Sequence, residues 1–275
     1  MTTLDLIKSA LKEDMPSGDV TTESLAMKPK LGEAILKAKE DLVLSGANAF
    51  EETVLFLEPQ AKVKWHFNEG DLIYKGQNIC SIDGDLIQIL KAERVALNFL
   101  GRLSGIATLT RRYVKEVQGT KTRILDTRKT TPLLRELEKR AVQHGGGSNH
   151  RFNLSQAVLI KDNHISLMGG ITRAVNRLRQ HCDLAIEVEA ASLEQVRECT
   201  ELKIQRILLD NMTNEMMALA LKIIPPEIQT EASGNMSLAR VKSVAELGVD
   251  FISVGALTHS AACADVSLLF DWGPI

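Results

Sequence analysis

Between Asp126 and His164 the chain reads DTRKTTPLLRELEKRAVQHGGGSNHRFNLSQAVLIKDNH. Two basic pairs, Arg128-Lys129 and His150-Arg151, flank a helical segment and a glycine run. Lys161 and His164 follow a short apolar stretch. An arginine fork matches a carboxylate or phosphate bidentately, and lysine adds a mobile point charge. A solvated helix face would place acids between such cations. Here each basic group sits where a strand or loop ends. Any one of them could serve a surface salt bridge. As a set from three consecutive loops, they describe a pocket for a small polyanion.

Carboxylates follow the cations. Glu189, Asp210 and Glu231 recur about every 21 residues, with Ser253 next in the series. Side chains alternate along a strand, so Glu187 shares a face with Glu189. Glu189 and Asp210 suit ribose hydroxyls or Mg²⁺, a hard ion that prefers oxygen ligands. Their plainer role is to neutralise the cations. Ser233-Gly234-Asn235 and Gly255-Ala256-Leu257-Thr258-His259 follow the last two apolar strands. Small residues there suit phosphate, through backbone N–H groups and helix N-termini. The run Gly145-Gly146-Gly147 permits positive φ and close approach to a ligand. It is not a Walker A loop, because no Gly-Lys-Ser/Thr follows.

The elements that must position these groups fall into two stretches. Residues 3–14 predict a helix, with Thr3 as its N-cap and Leu4, Ile7 and Leu11 on one face. From Gly32 to about Ile89 the period is two, with Gly, Asn and Asp turns and one helix at AFEETVLFLEP. That reads as a small α/β domain whose sheet has an exposed edge. Leu86–Leu100 and Thr108–Val117 predict helices, with Gly101 and Gly105 marking close packing or a domain junction. The expected division is 1–104 and 105–275.

After Gly119 strands alternate with helices: RILDT, AVLIKD, LAIEVEA, RILLDN, IQTEA and DFISVGA, with helices near 133–143, 169–181, 192–202, 213–223 and 236–247. Near-continuous apolar strands in such units indicate a parallel sheet covered by helices. The fold class is α/β, with an incomplete (β/α) barrel as the first reading and a doubly wound open sheet as the second. Polar groups at the C-terminal ends of the strands favour the barrel.

Composition narrows the function. A net charge of −2 leaves no global field for nucleic acid or an acidic membrane. Aromatics at 4% argue against base-stacking platforms. Cys80, Cys182, Cys199 and Cys263 lack metal-ligand spacing and read as reduced thiols of a cytoplasmic protein. MTTLDLIKSALKEDM has no apolar signal core.

Several of these segments carry a resemblance. ALKEDMPSGDVTT, ERVALNFLGRLSGIATLT, DTRKTTP, GGGSNHR, LIKDNHI, EVEA, LLDNM, EASGN and GVDFISVGALTHS are similar, in order, to the quinolinate phosphoribosyltransferase family. The resemblance implies an N-terminal α/β domain and an incomplete barrel, working as a homodimer or an assembly of dimers. It implies transfer of phosphoribosyl from 5-phosphoribosyl-1-pyrophosphate to quinolinate, with Mg²⁺, in NAD synthesis. By position, it implies that Arg128, His150, Arg151 and Lys161 bind the quinolinate carboxylates and that Arg94 arrives from the partner subunit. Lys129 would contact the donor. Glu189 and Asp210 would hold the ribose and the Mg²⁺ region, and Ser233, Gly234, Gly255 and His259 the 5-phosphate. Lys129, Lys161, Glu189 and Asp210 are the expected catalytic set. Leu133 and Leu134 stand where a glycine is frequent, Asn153 where one is common, and Ala190 replaces a usual valine. The competing readings are a molybdenum-operon paralogue, an aldolase-type barrel with Lys161 as a Schiff-base lysine, and a ligand-binding relative without turnover.

Overall fold

The computed structural model describes residues 2–272. The chain forms two compact units, one of residues 1–111, 131–146 and 260–275, the other of residues 112–130 and 147–259.

The strands of the first unit are β1 (Leu31–Ala38), β2 (Leu42–Val43), β3 (Lys62–Trp65), β4 (Leu72–Ile73) and β5 (Asn78–Asp85). A last strand, β12 (Val266–Asp271), follows the six strands of the second unit. Four of these form an antiparallel sheet in the order β12-β1-β5-β3, and β2 pairs with β4. Alternation in β1 turns Ala34, Leu36 and Ala38 inward. They meet Phe50 and Val54 of the helix Ala47–Leu57, together with Ile82, Leu86 and Leu100. Full burial of Phe50 contributes about 2 kcal/mol.

The helix Thr3–Asp14 is capped by Thr2 rather than Thr3, through a reciprocal pair with Asp5 at 3.2 and 2.9 Å. Ile7 and Leu11 pack on Val95 as expected, whereas Leu4 is exposed.

One strand was not expected and one expectation changes in this unit. The strand β12 pairs along β1 from Glu33↔Asp271 to Ala38↔Val266, so β12 and β3 are the edges of the sheet. The helices expected on either side of Gly101 and Gly105 are a single helix, Leu86–Glu116, and residue 104 lies inside it. The glycines serve packing. A Cβ on Gly105 would lie 1.9 Å from the Ala262 carbonyl oxygen, and one on Gly101 would lie 3.0 Å from that of Ala264.

Cysteine chemistry follows from this burial. Cys80 and Cys199 are fully buried, and burial pushes both thiols up to about 12. Cys263 is exposed. Maleimide on the native protein is therefore expected to modify Cys263 quickly and to spare Cys80 and Cys199 until the fold is opened. Mass mapping of the adducts checks it.

The second unit holds β6 (Arg123–Leu125), β7 (Val158–Ile160), β8 (Ile186–Ala190), β9 (Arg206–Asp210), β10 (Gln229–Ser233) and β11 (Phe251–Ser253). All are parallel, in the order β6-β11-β10-β9-β8-β7. Consecutive strands are neighbours from β7 to β11, and the first strand then lies beside the last. A ring has that order and a doubly wound sheet does not. Among the described residues β6 and β7 do not pair, so the barrel is incomplete.

The helices follow local signals. Ser192 and Thr213 each cap a helix by accepting the backbone N–H three residues on. The helix expected at 169–181 is Ile171–Arg179, and a further helix not expected, Asp162–Met168, precedes it across Gly169 and Gly170 at φ 72° and 135°. The helix Arg135–His144, expected as the first of the barrel, belongs to the first unit.

Candidate active site

The C-terminal strand ends of the second unit surround a cavity of about 1000 Å³. Strand register decides which side chains reach it. Asp210 pairs with Ser233, while Glu231 pairs with Leu208, two residues lower. Leu208 also faces Glu189. The 21-residue recurrence therefore sets Glu189 and Glu231 at one level and Asp210 two residues higher. Asp210 stands at the rim, and Glu231, expected as a strand end, sits in mid-strand at 0% exposure.

The segment GGGSNHR reaches the cavity by pairing with β6. The Ser148 N–H donates to the Ile124 carbonyl at 2.8 Å, and the Asp126 N–H donates to that of Ser148 at 3.2 Å. The buried Asp126 carboxylate then accepts the His150 N–H at 2.8 Å. Gly145 does not line the cavity. Its missing Cβ would meet the Ala107 carbonyl and Thr110, each at 2.5 Å, so this position serves packing. Of the three glycines only Gly146 has a positive φ, 91°.

Four cations line the cavity: Arg128, Lys129, Arg151 and Lys161. The Arg128 Nε is buried with no hydrogen-bond partner. Burial, and then the Arg128 charge, hold the Arg151 guanidinium below its usual range. Two arginines that repel one another, one with an orphaned donor, form a site preorganised for an anion.

Glu189, Asp210 and Glu231 line the cavity too. Lys161 Nζ lies 2.9 Å from Glu189 Oε2, and the Asn211 side-chain amide donates to Asp210 at 2.7 Å. Burial raises the Glu189 carboxyl, Lys161 opposes this, and the neighbouring Asp210 charge adds to the rise. Lys161 is exposed and paired, unlike the desolvated amine a Schiff-base lysine requires.

His150 sits on the floor. Its Nε2 is 3.3 Å from Glu187 and 3.5 Å from Glu231. Burial lowers the basicity of the ring, but the two carboxylates outweigh it and push the pKa up to about 9. The Arg151 N–H also donates to Nδ1 at 2.7 Å. A proton on Nδ1 would set two N–H groups face to face, so this hydrogen bond places the proton of the neutral ring on Nε2 and opposes the second proton that the two carboxylates favour. Burial also favours a protonated Glu231, yet His150, Ser253 and Arg206 keep it ionised.

The loops after β10 and β11 complete the wall with Ser233, Gly234, Gly255 and His259. Gly234 has φ 93°, and a Cβ there would lie 2.2 Å from Asn211 Oδ1. A Cβ on Gly255 would lie 3.1 Å from Lys129 Cδ and 3.2 Å from His259 Nε2. Gly234 requires glycine, and at Gly255 a Cβ would press on two side chains of the pocket. Every expected binding residue of this unit thus lines one cavity. Arg94 does not, being exposed on the long helix of the first unit.

Comparison with known proteins agrees with this geometry. Residues 19–104 match the model for the quinolinate phosphoribosyl transferase N-terminal domain, and residues 106–269 match that for its C-terminal domain. The chain belongs to the quinolinate phosphoribosyltransferase family. It is 43% identical over 263 residues to a probable carboxylating nicotinate-nucleotide pyrophosphorylase of Synechocystis, covering 94% of this chain and 89% of that one. It is 40% identical to a chloroplastic Arabidopsis thaliana enzyme of the same name, covering 97% and 82%. The crystal structure of the Ehrlichia chaffeensis nicotinate-nucleotide pyrophosphorylase superposes with a TM-score of 0.95 at 38% identity, covering 98% and 99%.

One departure from the family pattern has a structural counterpart. Leu133, where a glycine is frequent, adopts φ 68° on the surface. A left-handed leucine costs about 1–2 kcal/mol.

Three functional contributors were not singled out from sequence. Tyr113 donates to the Met236 carbonyl at 3.0 Å and pins the loop after β10. Asn211 braces Asp210, and Arg206 braces Glu231. LLDN hinted at Asn211, whose φ of 53° is common for asparagine. Nothing local marked Tyr113 or Arg206.

Proposed function

We propose that this chain transfers the phosphoribosyl group of 5-phosphoribosyl-1-pyrophosphate to quinolinate with loss of CO₂, giving nicotinate mononucleotide and pyrophosphate. The observation that carries it is one cavity that gathers Arg128, Lys129, Arg151 and Lys161 with Glu189 and Asp210.

Arg128, Arg151 and Lys161 receive the two carboxylates and hold the pyridine nitrogen toward the anomeric carbon, a positioning effect. The C–N bond forms as the bond to pyrophosphate breaks. Positive charge develops on the ribose, and the Glu189 and Asp210 carboxylates stabilise it. The pyridine nitrogen is the nucleophile, so no general base is required. The carboxylate next to the nitrogen then leaves as CO₂, and its electron pair stays on the ring carbon, which takes a proton. Lys129 meets the donor, and Ser233, Gly234, Gly255 and His259 receive the 5-phosphate.

The oxygen donors of Glu189 and Asp210 fit Mg²⁺. Bound there, it would neutralise charge on the pyrophosphate leaving group.

No helix among the described residues is long and apolar enough to cross a membrane. A cytoplasmic location fits the free cysteines.

The chain works as a homodimer whose partner delivers Arg94. Arg94→Ala is expected to lose activity while each protomer still folds. Mixed with a Lys161→Ala protein under conditions of subunit exchange, it is expected to recover about a quarter of wild-type activity, one intact site per mixed dimer. No recovery despite exchange seen by labelled subunits would remove the shared site.

The deciding assay combines the protein, Mg²⁺, 5-phosphoribosyl-1-pyrophosphate and quinolinate, with nicotinate in parallel. Product from quinolinate alone establishes the reaction and the need for the second carboxylate. Folded protein silent with quinolinate would overturn it.

A further inference from the structure

A column of buried charge runs beneath the cavity. At the start of β9, Arg206 Nη1 lies 3.2 Å from Glu231 Oε2, and its guanidinium carbon stands 4.2 Å from the centre of the Phe251 ring. Glu231 accepts the Ser253 hydroxyl. Above it, His150 Nε2 sits between Glu231 on β10 and Glu187 on β8, at 3.5 and 3.3 Å. Glu187 and Arg206 do not line the cavity.

Apolar residues would fill such a column at lower cost in desolvation. Its retained charge converges on His150, and His150 has little left to offer a substrate. Nε2 is held by the two acids, Nδ1 by the Arg151 N–H at 2.7 Å, and the His150 N–H by Asp126 at 2.8 Å. Arg151, in contrast, lines the cavity, with Nη1 anchored on the Ala157 carbonyl at 2.9 Å. Its backbone amide rests on the clamped ring.

We propose that His150 is a positioning residue rather than a direct carboxylate ligand: Glu187 and Glu231, backed by Arg206 and Ser253, clamp its ring, and the ring fixes Arg151 toward the pyridine dicarboxylate. This rests on the reaction proposed above. Ligand atoms of His150, Glu187 and Glu231 lie within 4.8 Å of one another, a spacing a metal could use. Arg206 already stands as a cation 3.2 Å from Glu231.

The test uses the full chain and Glu187→Gln. Quinolinate dissociation constants are measured by calorimetry in the wild-type and Arg151→Lys backgrounds. The substitution is expected to weaken quinolinate about 10-fold in the wild type and less than about twofold in Arg151→Lys, because the effect passes through Arg151. Binding of 5-phosphoribosyl-1-pyrophosphate is expected to stay within about twofold. Equal losses in both backgrounds, or none in folded protein, would overturn the proposal. Should Glu187→Gln not fold, Ser253→Ala removes one hydroxyl behind Glu231 and makes the same prediction. Nitrogen-15 NMR of the His150 ring reads the clamp without substrate: a slowly exchanging Nε2–H in the wild type, lost in Glu187→Gln. Wild-type protein that shows this signal yet does not bind quinolinate overturns the reaction and keeps the clamp. Absence of the signal, or a stoichiometric zinc ion surviving dialysis, overturns the clamp itself.

Discussion

Replacing Arg128 with methionine is expected to stop useful turnover of quinolinate and to raise the melting temperature of the protein without ligand. The two effects share a cause. The Arg128 Nε is buried without a partner, and its charge repels Arg151. An unmet buried donor costs about 1–3 kcal/mol. Methionine keeps the length of the side chain and removes both the donor and the charge. A gain of about 1 kcal/mol corresponds to roughly 2–4 °C in a protein of this size. With quinolinate bound, the same donor meets a carboxylate. Loss of a desolvated charge contact costs about 2–5 kcal/mol, so kcat/KM falls by roughly 30-fold to several thousand-fold. Steady-state kinetics beside a thermal melt reads both. A variant that keeps its activity, or melts lower than the wild type, would remove Arg128 from the binding site.

The second large effect lies far from chemistry. Gly105→Ala places a methyl group 1.9 Å from the Ala262 carbonyl oxygen and 3.0 Å from its carbon. Both neighbours are backbone, and Gly105 is held in the long helix Leu86–Glu116. Overpacking of this kind costs about 3 kcal/mol, a fall of roughly 6–12 °C. Gly76→Ala is the control: no atom lies within 4 Å, and only the φ of 89° penalises it, by about 1 kcal/mol. Melts of the two variants should differ clearly. Equal melts would mean that the helix and the segment at Ala262 can separate freely.

Much of the second unit was legible in sequence because its units are local. Each strand is a short apolar run, and each following helix carries its own signals, as at Ser192 and Thr213. The pocket residues were legible for the same reason, since they stand in the loops where those elements end. Depth was not legible. Glu189, Asp210 and Glu231 look alike in spacing, yet Glu189 and Glu231 both pair with Leu208, two residues below Asp210, and Glu231 alone is fully buried. Register is a relation between strands, and a repeat length does not record it. The glycines were read in part. Gly234 and Gly255 make room in the pocket, whereas Gly105 and Gly145 admit backbone from distant segments that no local pattern reveals. The strand VSLLFD was missed because its partner in the sheet, β1, lies more than 200 residues earlier.

That last pairing ties the order of synthesis to the integrity of the first unit. On the ribosome, β1 emerges early and finds β5 soon afterwards, but its other side stays open until nearly the whole chain has been made. For that interval a nascent chain carries an unpaired strand edge, the kind of surface on which neighbouring nascent chains associate. A chain broken off before Val266 would keep that edge permanently. Translation that stalls late in the message would therefore yield aggregates rather than a truncated but folded enzyme, even though most of the pocket had already been made.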